Sequence, residues 1–101
     1  RSNEAAVHPL ASIDPAATVE RSVVGEGASI GAGARVVGSV IMAGARVGGT
    51  ATVIDSVVGA GASIGDGADV RELSVVGFGT QVAAGDHLAG AVRPEPSDWD
   101  I

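Results

Sequence analysis

Aliphatic residues stand six, six and then five apart along nearly the whole length of this chain. Val7, Ile13 and Val19 begin the series, Val24, Ile30 and Val36 repeat it, and Ile41, Val47 and Val53 follow. Val58, Ile64 and Val70 come next, and Val76, Val82 and Leu88 close it. The pattern recurs at seventeen residues, except that Val76 lies eighteen after Val58. A period of six matches neither the helical turn nor the heptad, so an amphipathic helix is excluded. Self-similarity at a short fixed period marks a solenoid, in which each repeat is stable only against its neighbours.

Two positions before each aliphatic residue sits a small one: Ala5, Ala11 and Ala17, then Ser22, Ala28, Ala34, and so on through Ser39, Ala45, Ala51, Ser56, Ala62, Ala68, Ser74 and Thr80. Asp86 is the one polar departure. Residues two apart on a strand share a face, so each short strand points one small and one branched residue inward. Glycine recurs between strands at Gly27, Gly33, Gly44, Gly61, Gly67, Gly79 and Gly85, where a tight corner needs positive φ. The expected fold is all-β: a single-stranded parallel β-helix of about five three-sided coils, roughly 24 Å tall at the ~4.8 Å spacing between strands. The repeat spans 7–88, with a lead-in over 1–6 and an irregular tail over 89–101. An aromatic content of 2% agrees, since thin layers of Val, Ile and Ala leave no room for large rings.

Charge narrows the partners. The net charge is −6, and the basic residues are all Arg, scattered along the chain. Nucleic-acid binding and an anionic membrane surface both call for a basic stripe, so neither is expected. The absence of Cys excludes disulfides and thiolate metal sites. Arg1 to Leu10 shows no signal-peptide pattern, and no apolar run is long enough to cross a bilayer. A soluble, cytoplasmic protein is the expectation.

In Ala28-Ser29-Ile30-Gly31, Ala45-Arg46-Val47-Gly48 and Ala62-Ser63-Ile64-Gly65 the aliphatic residue follows a small one by two and is itself followed by Gly. This resembles the hexapeptide-repeat family from Val7 to Leu88 and implies a left-handed β-helix, an exception to the right-handed crossover rule. Once per coil the chain reads Ser22-Val23-Val24-Gly25, Ser39-Val40-Ile41-Met42, Ser56-Val57-Val58-Gly59 or Ser74-Val75-Val76-Gly77. That phrase resembles the C-terminal β-helix of sugar-1-phosphate nucleotidyltransferases, with the mannose-1-phosphate guanylyltransferases the nearest in pattern. The resemblance implies a parent enzyme whose N-terminal domain binds nucleotide and Mg²⁺, with the β-helix serving assembly and in some members regulation. It implies no catalytic, cofactor-binding or metal-binding residue in this chain. The family's phosphate loop is not found: Gly25-Glu26-Gly27 and Gly59-Ala60-Gly61 lie at corners and open no helix. The chain is therefore expected to be the C-terminal part of such an enzyme, with the catalytic domain and further copies of itself as partners.

Other chemistries fit less well. Hexapeptide acyltransferases use a histidine as general base beside a cleft. His8 and His87 sit in the first and last coils, about four layers or roughly 19 Å apart, and cannot act as a pair. A three-histidine zinc site is impossible with two histidines. Gly65-Asp66-Gly67-Ala68-Asp69 is a single acidic corner, not the column of Asp that a calcium-binding solenoid needs. Thr18, Thr50 and Thr52 do not form the ranks of an ice-binding surface.

The outward residues say more. Strand alternation puts Ala6, Val23, Val40, Val57 and Val75 on one outer face, with Met42 alongside. A second face carries Ser12, Ser29, Arg46, Ser63 and Gln81. The third carries Thr18, Arg35, Thr52, Asp69 and His87, with Val37 and Ile54 just beyond. A continuous apolar stripe on a small protein marks an interface, so Val23, Val40, Met42, Val57 and Val75 are the expected contact residues. The occupant is another copy, the catalytic domain, or the chain's own tail through Trp99 and Ile101. Three readings of the whole stay open: the assembly domain of a nucleotide-sugar pyrophosphorylase, part of an acyltransferase, or a free-standing scaffold. The acyltransferase reading needs a long loop carrying a base, and no insertion interrupts the series from Val7 to Leu88.

Overall fold

The computed structural model describes residues 5–95, and over that span the chain winds as a three-sided parallel β-helix without helical segments. The first sheet stacks β1 (Ala6–Val7), β4 (Val23–Val24), β7 (Val40–Ile41), β10 (Val57–Val58), β13 (Val75–Val76) and β16 (Val92–Arg93). The second stacks β2 (Ser12–Ile13), β5 (Ser29–Ile30), β8 (Arg46–Val47), β11 (Ser63–Ile64) and β14 (Gln81–Val82). The third stacks β3 (Thr18–Glu20), β6 (Arg35–Val37), β9 (Thr52–Ile54), β12 (Asp69–Arg71) and β15 (His87–Ala89). Register follows the sequence period: Val23 pairs with Val40, Val40 with Val57, and Val57 with Val75 across the eighteen-residue step.

The alternation drawn from the sequence holds in the core. Val24, Val36, Ile41, Val53, Val58, Val70 and Val76 are at most 1% exposed. The alanines two residues earlier, from Ala28 to Ala68, are buried with them. Each layer is thus three branched and three small side chains, and it closes only against the layers above and below.

At the corner between the third and first sheets the small residue is serine, for a reason that packing alone does not supply. The Ser56 hydroxyl donates to the carbonyl of Ile54 (2.8 Å) and accepts from the N–H of Ser74 (3.2 Å). Ser22, Ser39 and Ser74 repeat the arrangement, each accepting an N–H from the next coil at 3.0–3.1 Å. These buried N–H groups meet a hydroxyl where other strands meet a carbonyl. Ser56→Ala is expected to leave the Ser74 N–H without a partner and to cost about 2 kcal/mol. Denaturant titration checks it, and an unchanged midpoint would refute this role for the serine column.

The same corner explains the irregular step. It needs one residue in the left-handed region, filled by Arg21 (φ 47°), Gly38 (φ 61°), Asp55 (φ 50°) and Gly90 (φ 62°). In the fourth coil Glu72 (φ 59°) and Leu73 (φ 62°) fill it together, so Leu73 is the extra residue.

Two differences from the sequence pattern stand out. Val37 is buried without joining the core cluster: it follows the inward Val36, lies in register between Glu20 and Ile54, and is 7% exposed. The first sheet also continues past Leu88, with Val75 pairing Val92 and Val76 pairing Arg93. An arginine at the inward aliphatic position hides this rung from the sequence pattern. Trp99 and Ile101 lie outside the described residues.

Candidate functional site

The outward side of the first sheet is a ladder of Ala6, Val23, Val40, Val57, Val75 and Val92 in direct register. Val23 is 49% exposed, Val40 38% and Val75 40%, while Val57 is half-buried between its neighbours. Met42 follows β7 at the first-to-second corner and is 45% exposed. The structure adds three residues that strand alternation could not place. Leu10 (64%) and Phe78 (84%) share that first-to-second corner, and Leu73 (78%) stands at the third-to-first corner. Among the described residues every exposed large hydrophobic side chain lies on the first sheet or one of its two corners. The signal for the three missed residues was a large apolar side chain where sister corners carry Gly, Ala or an acidic residue.

Charge frames this face and stays off its centre. Arg21, Asp55 and Glu72 sit along the third-to-first corner, and Glu26 on the first-to-second corner, all exposed. The side chains of Arg21 and Asp55 enter no ion pair among the described residues.

The other faces are polar, and several ionisable groups there and at the corners are engaged locally. His8 accepts the N–H of Leu10 on Nδ1 (3.0 Å), shaping the first corner. His87 lies across the β12–β15 register from Asp69, with Nδ1 3.6 Å from Oδ2. The other Asp69 oxygen accepts from Arg71 Nε at 2.7 Å. The His87 side chain is 78% exposed on an open sheet face. Asp66 accepts the N–H of Gly49 at 3.0 Å and so braces the corner. Among the described residues no three His, Asp or Glu side chains gather where one metal ion could bind. No helix among them is long and apolar enough to cross a membrane.

The family profile of the GMPPB C-terminal domain matches residues 2–93. The chain belongs to this family. As a member of the GMPPB C-terminal domain family it is a left-handed β-helix, the fold implied by its hexapeptide pattern. Comparison with curated protein sequences returns no match. Solved structures of the same shape include the acetyltransferase domain of PglB from Neisseria gonorrhoeae in complex with acetyl coenzyme A, at 23% identity and a TM-score of 0.62. The match covers 87% of this chain and 53% of that one. A mutant of GDP-perosamine N-acetyl transferase from Caulobacter crescentus, in complex with CoA and GDP-perosamine, is 25% identical with a TM-score of 0.63, covering 87% and 51%. A hexapeptide transferase family protein from Anaplasma phagocytophilum is 23% identical with a TM-score of 0.54, covering 87% and 68%. The chain thus spans about half the length of the two acetyltransferases, and at these identities the likeness speaks to fold.

Proposed function

We propose that this β-helix is the assembly domain of a nucleotidyltransferase that joins a nucleoside triphosphate to a sugar 1-phosphate and releases pyrophosphate. A mannose-1-phosphate guanylyltransferase is the finer assignment, and a cytoplasmic location goes with it. The observation that carries the reading is the segregation of the exposed large apolar side chains, among the described residues, to the first sheet and its corners, in a chain of the GMPPB C-terminal domain family. Mg²⁺ and nucleotide belong, in this reading, to the catalytic domain of the parent protein. The present residues supply a rigid ladder whose spacing is fixed by backbone hydrogen bonds, and the valine face holds the parent's parts or copies in place.

Val57→Glu in the parent protein tests this. The residue is outward and half-buried, so the domain is expected to keep its β-sheet circular dichroism. The oligomer, or the docking of the catalytic domain, is expected to come apart, read by sedimentation and by limited proteolysis of the linker. If both stay as in the unaltered protein, the face is no interface and the assembly reading falls.

A second reading, an acyltransferase part, is favoured by the acetyltransferase neighbours together with the His87–Asp69 pair. It requires acetyl coenzyme A to bind, and acetyl transfer to be lost in His87→Ala. Calorimetry that detects no heat of binding removes it.

A further inference from the structure

We propose that the first face closes on a second copy of the same chain, as an isologous pair whose β-helices stack in opposite directions about a two-fold axis lying over the outward side of β7, parallel to the strands. This rests on the assembly reading and names its partner. In a two-fold interface a residue meets its own mate on the axis, and off-axis residues meet reciprocally. Rotation about β7 sets β4 against β10 of the partner subunit and β1 against its β13. It also sets each corner of the first face against the same corner of the other copy.

Three independent features match under this one rotation. At the first-to-second corner, Met42 of the third coil meets Met42 of the partner subunit. Leu10 of the first coil and Phe78 of the fifth, equally distant from Met42 in layers, then meet each other across the pair. These are the exposed large apolar residues of that corner. At the third-to-first corner Arg21 precedes β4 and Asp55 precedes β10. The rotation brings Arg21 of each copy to Asp55 of the partner subunit, two reciprocal ion pairs between residues that have none among the described residues. The valine ladder, free of charge, fills the middle.

The other face-to-face axis, along the stack, keeps coils level and fits worse. It brings Arg21 to Glu26 of the partner subunit, but it sets Asp55 against Ala60 and Met42 against Gly38, desolvating a carboxylate and stranding the methionine. The size of the strip sets the strength. Five overlapping layers about 24 Å tall on a body 18 Å across its narrow axis cover roughly 400 Å² per copy, half of a standard interface of about 800 Å². The pair is therefore weak in isolation, concentration-dependent, and reinforced by whatever surface the parent adds.

The chain contains no cysteine, so single cysteines report geometry cleanly. A disulfide requires Cβ atoms about 4 Å apart. Met42→Cys is expected to link to itself under mild oxidation at high protein concentration, several-fold faster than Leu10→Cys or Phe78→Cys alone. An equimolar mixture of Leu10→Cys and Phe78→Cys chains is expected to give the mixed dimer. Arg21→Glu is expected to slow the Met42→Cys linkage several-fold, and adding Asp55→Arg to restore it. All five positions are exposed, and unchanged circular dichroism confirms that the fold survives. Self-linking of Phe78→Cys as fast as Met42→Cys, or no linking of Met42→Cys, overturns the pair. If Val57→Glu still undocks the parent's catalytic domain in that case, the assembly reading stands with a different occupant. If it changes nothing, both fall.

Discussion

Val58→Asp is expected to leave no folded domain, although Val57→Glu, one residue away, is expected to be tolerated. Val58 is 0% exposed and sits in register between Ile41 and Val76, the inward residues of the coils on either side. Its neighbours along the coil are equally dry, with Ile64 at 2% and Val70 at 0%. A carboxylate there finds no cation: the core cluster is all aliphatic and alanine. The change forfeits about 2 kcal/mol of valine burial and strands a buried charge at about 3–5 kcal/mol. Domains of this size hold only about 5–15 kcal/mol in total. Position matters as much as magnitude, because coils touch only their neighbours and the fourth coil is mid-stack. Losing it separates three coils from one, and neither piece buries both of its ends. Far-UV circular dichroism and thermal melting read the result. Val58→Ala, which removes methyl groups without adding charge, is expected to cost about 2 kcal/mol and still melt cooperatively. A Val58→Asp protein melting within a few degrees of the original would mean that the inward side has been misassigned.

That contrast between adjacent valines was legible in the sequence, because a period of two along a strand and of seventeen along the chain leaves one solution for what points inward. Register followed too: Val40 over Val23 and Val57 over Val40 are set by the spacing alone. What the sequence hid lay at corners and ends. Arg21, Asp55, Glu72 and Leu73 take left-handed φ, a conformation sought at glycines. The repeated Ser at the short step marked a corner, but the chain of Oγ acceptors linking Ser22, Ser39, Ser56 and Ser74 appears only when coils are stacked. The rung at Val92–Arg93 was hidden by a charged residue at an aliphatic position. The candidate face was half visible: its ladder follows from alternation, whereas Leu10, Leu73 and Phe78 flank it from turns, where no period applies.

Two glycines in one corner, Gly65 and Gly67, are expected to respond very differently to alanine. Gly67 has φ +71° but open surroundings, with Thr50 Oγ1 the nearest atom at 3.8 Å from where a Cβ would stand. Gly67→Ala therefore costs only the left-handed penalty, about 1 kcal/mol. Gly65 has no such φ, yet its Cβ would lie 2.8 Å from the Ala83 carbonyl carbon and closer to the Ala84 nitrogen, backbone atoms of the next coil. Nothing there can rotate away, so the two coils must part. The expected cost is about 3 kcal/mol, the upper end for overpacking. The repeat supports the distinction. Gly31 and Gly48 hold the same place in their coils and face the same obstruction from the coil above. In the fifth coil the place belongs to Ala83, after β14, the edge strand of the second sheet, where no further strand of that sheet stacks. Asp14 holds it in the first coil, with the second coil stacked above it. After β5, β8 and β11, glycine following the aliphatic residue is thus imposed by contact with the next coil, while glycine before the next small residue is a requirement of backbone conformation. Equilibrium unfolding of Gly65→Ala and Gly67→Ala separates the two causes. Equal losses would show that φ, not the approach of the next coil, governs both positions.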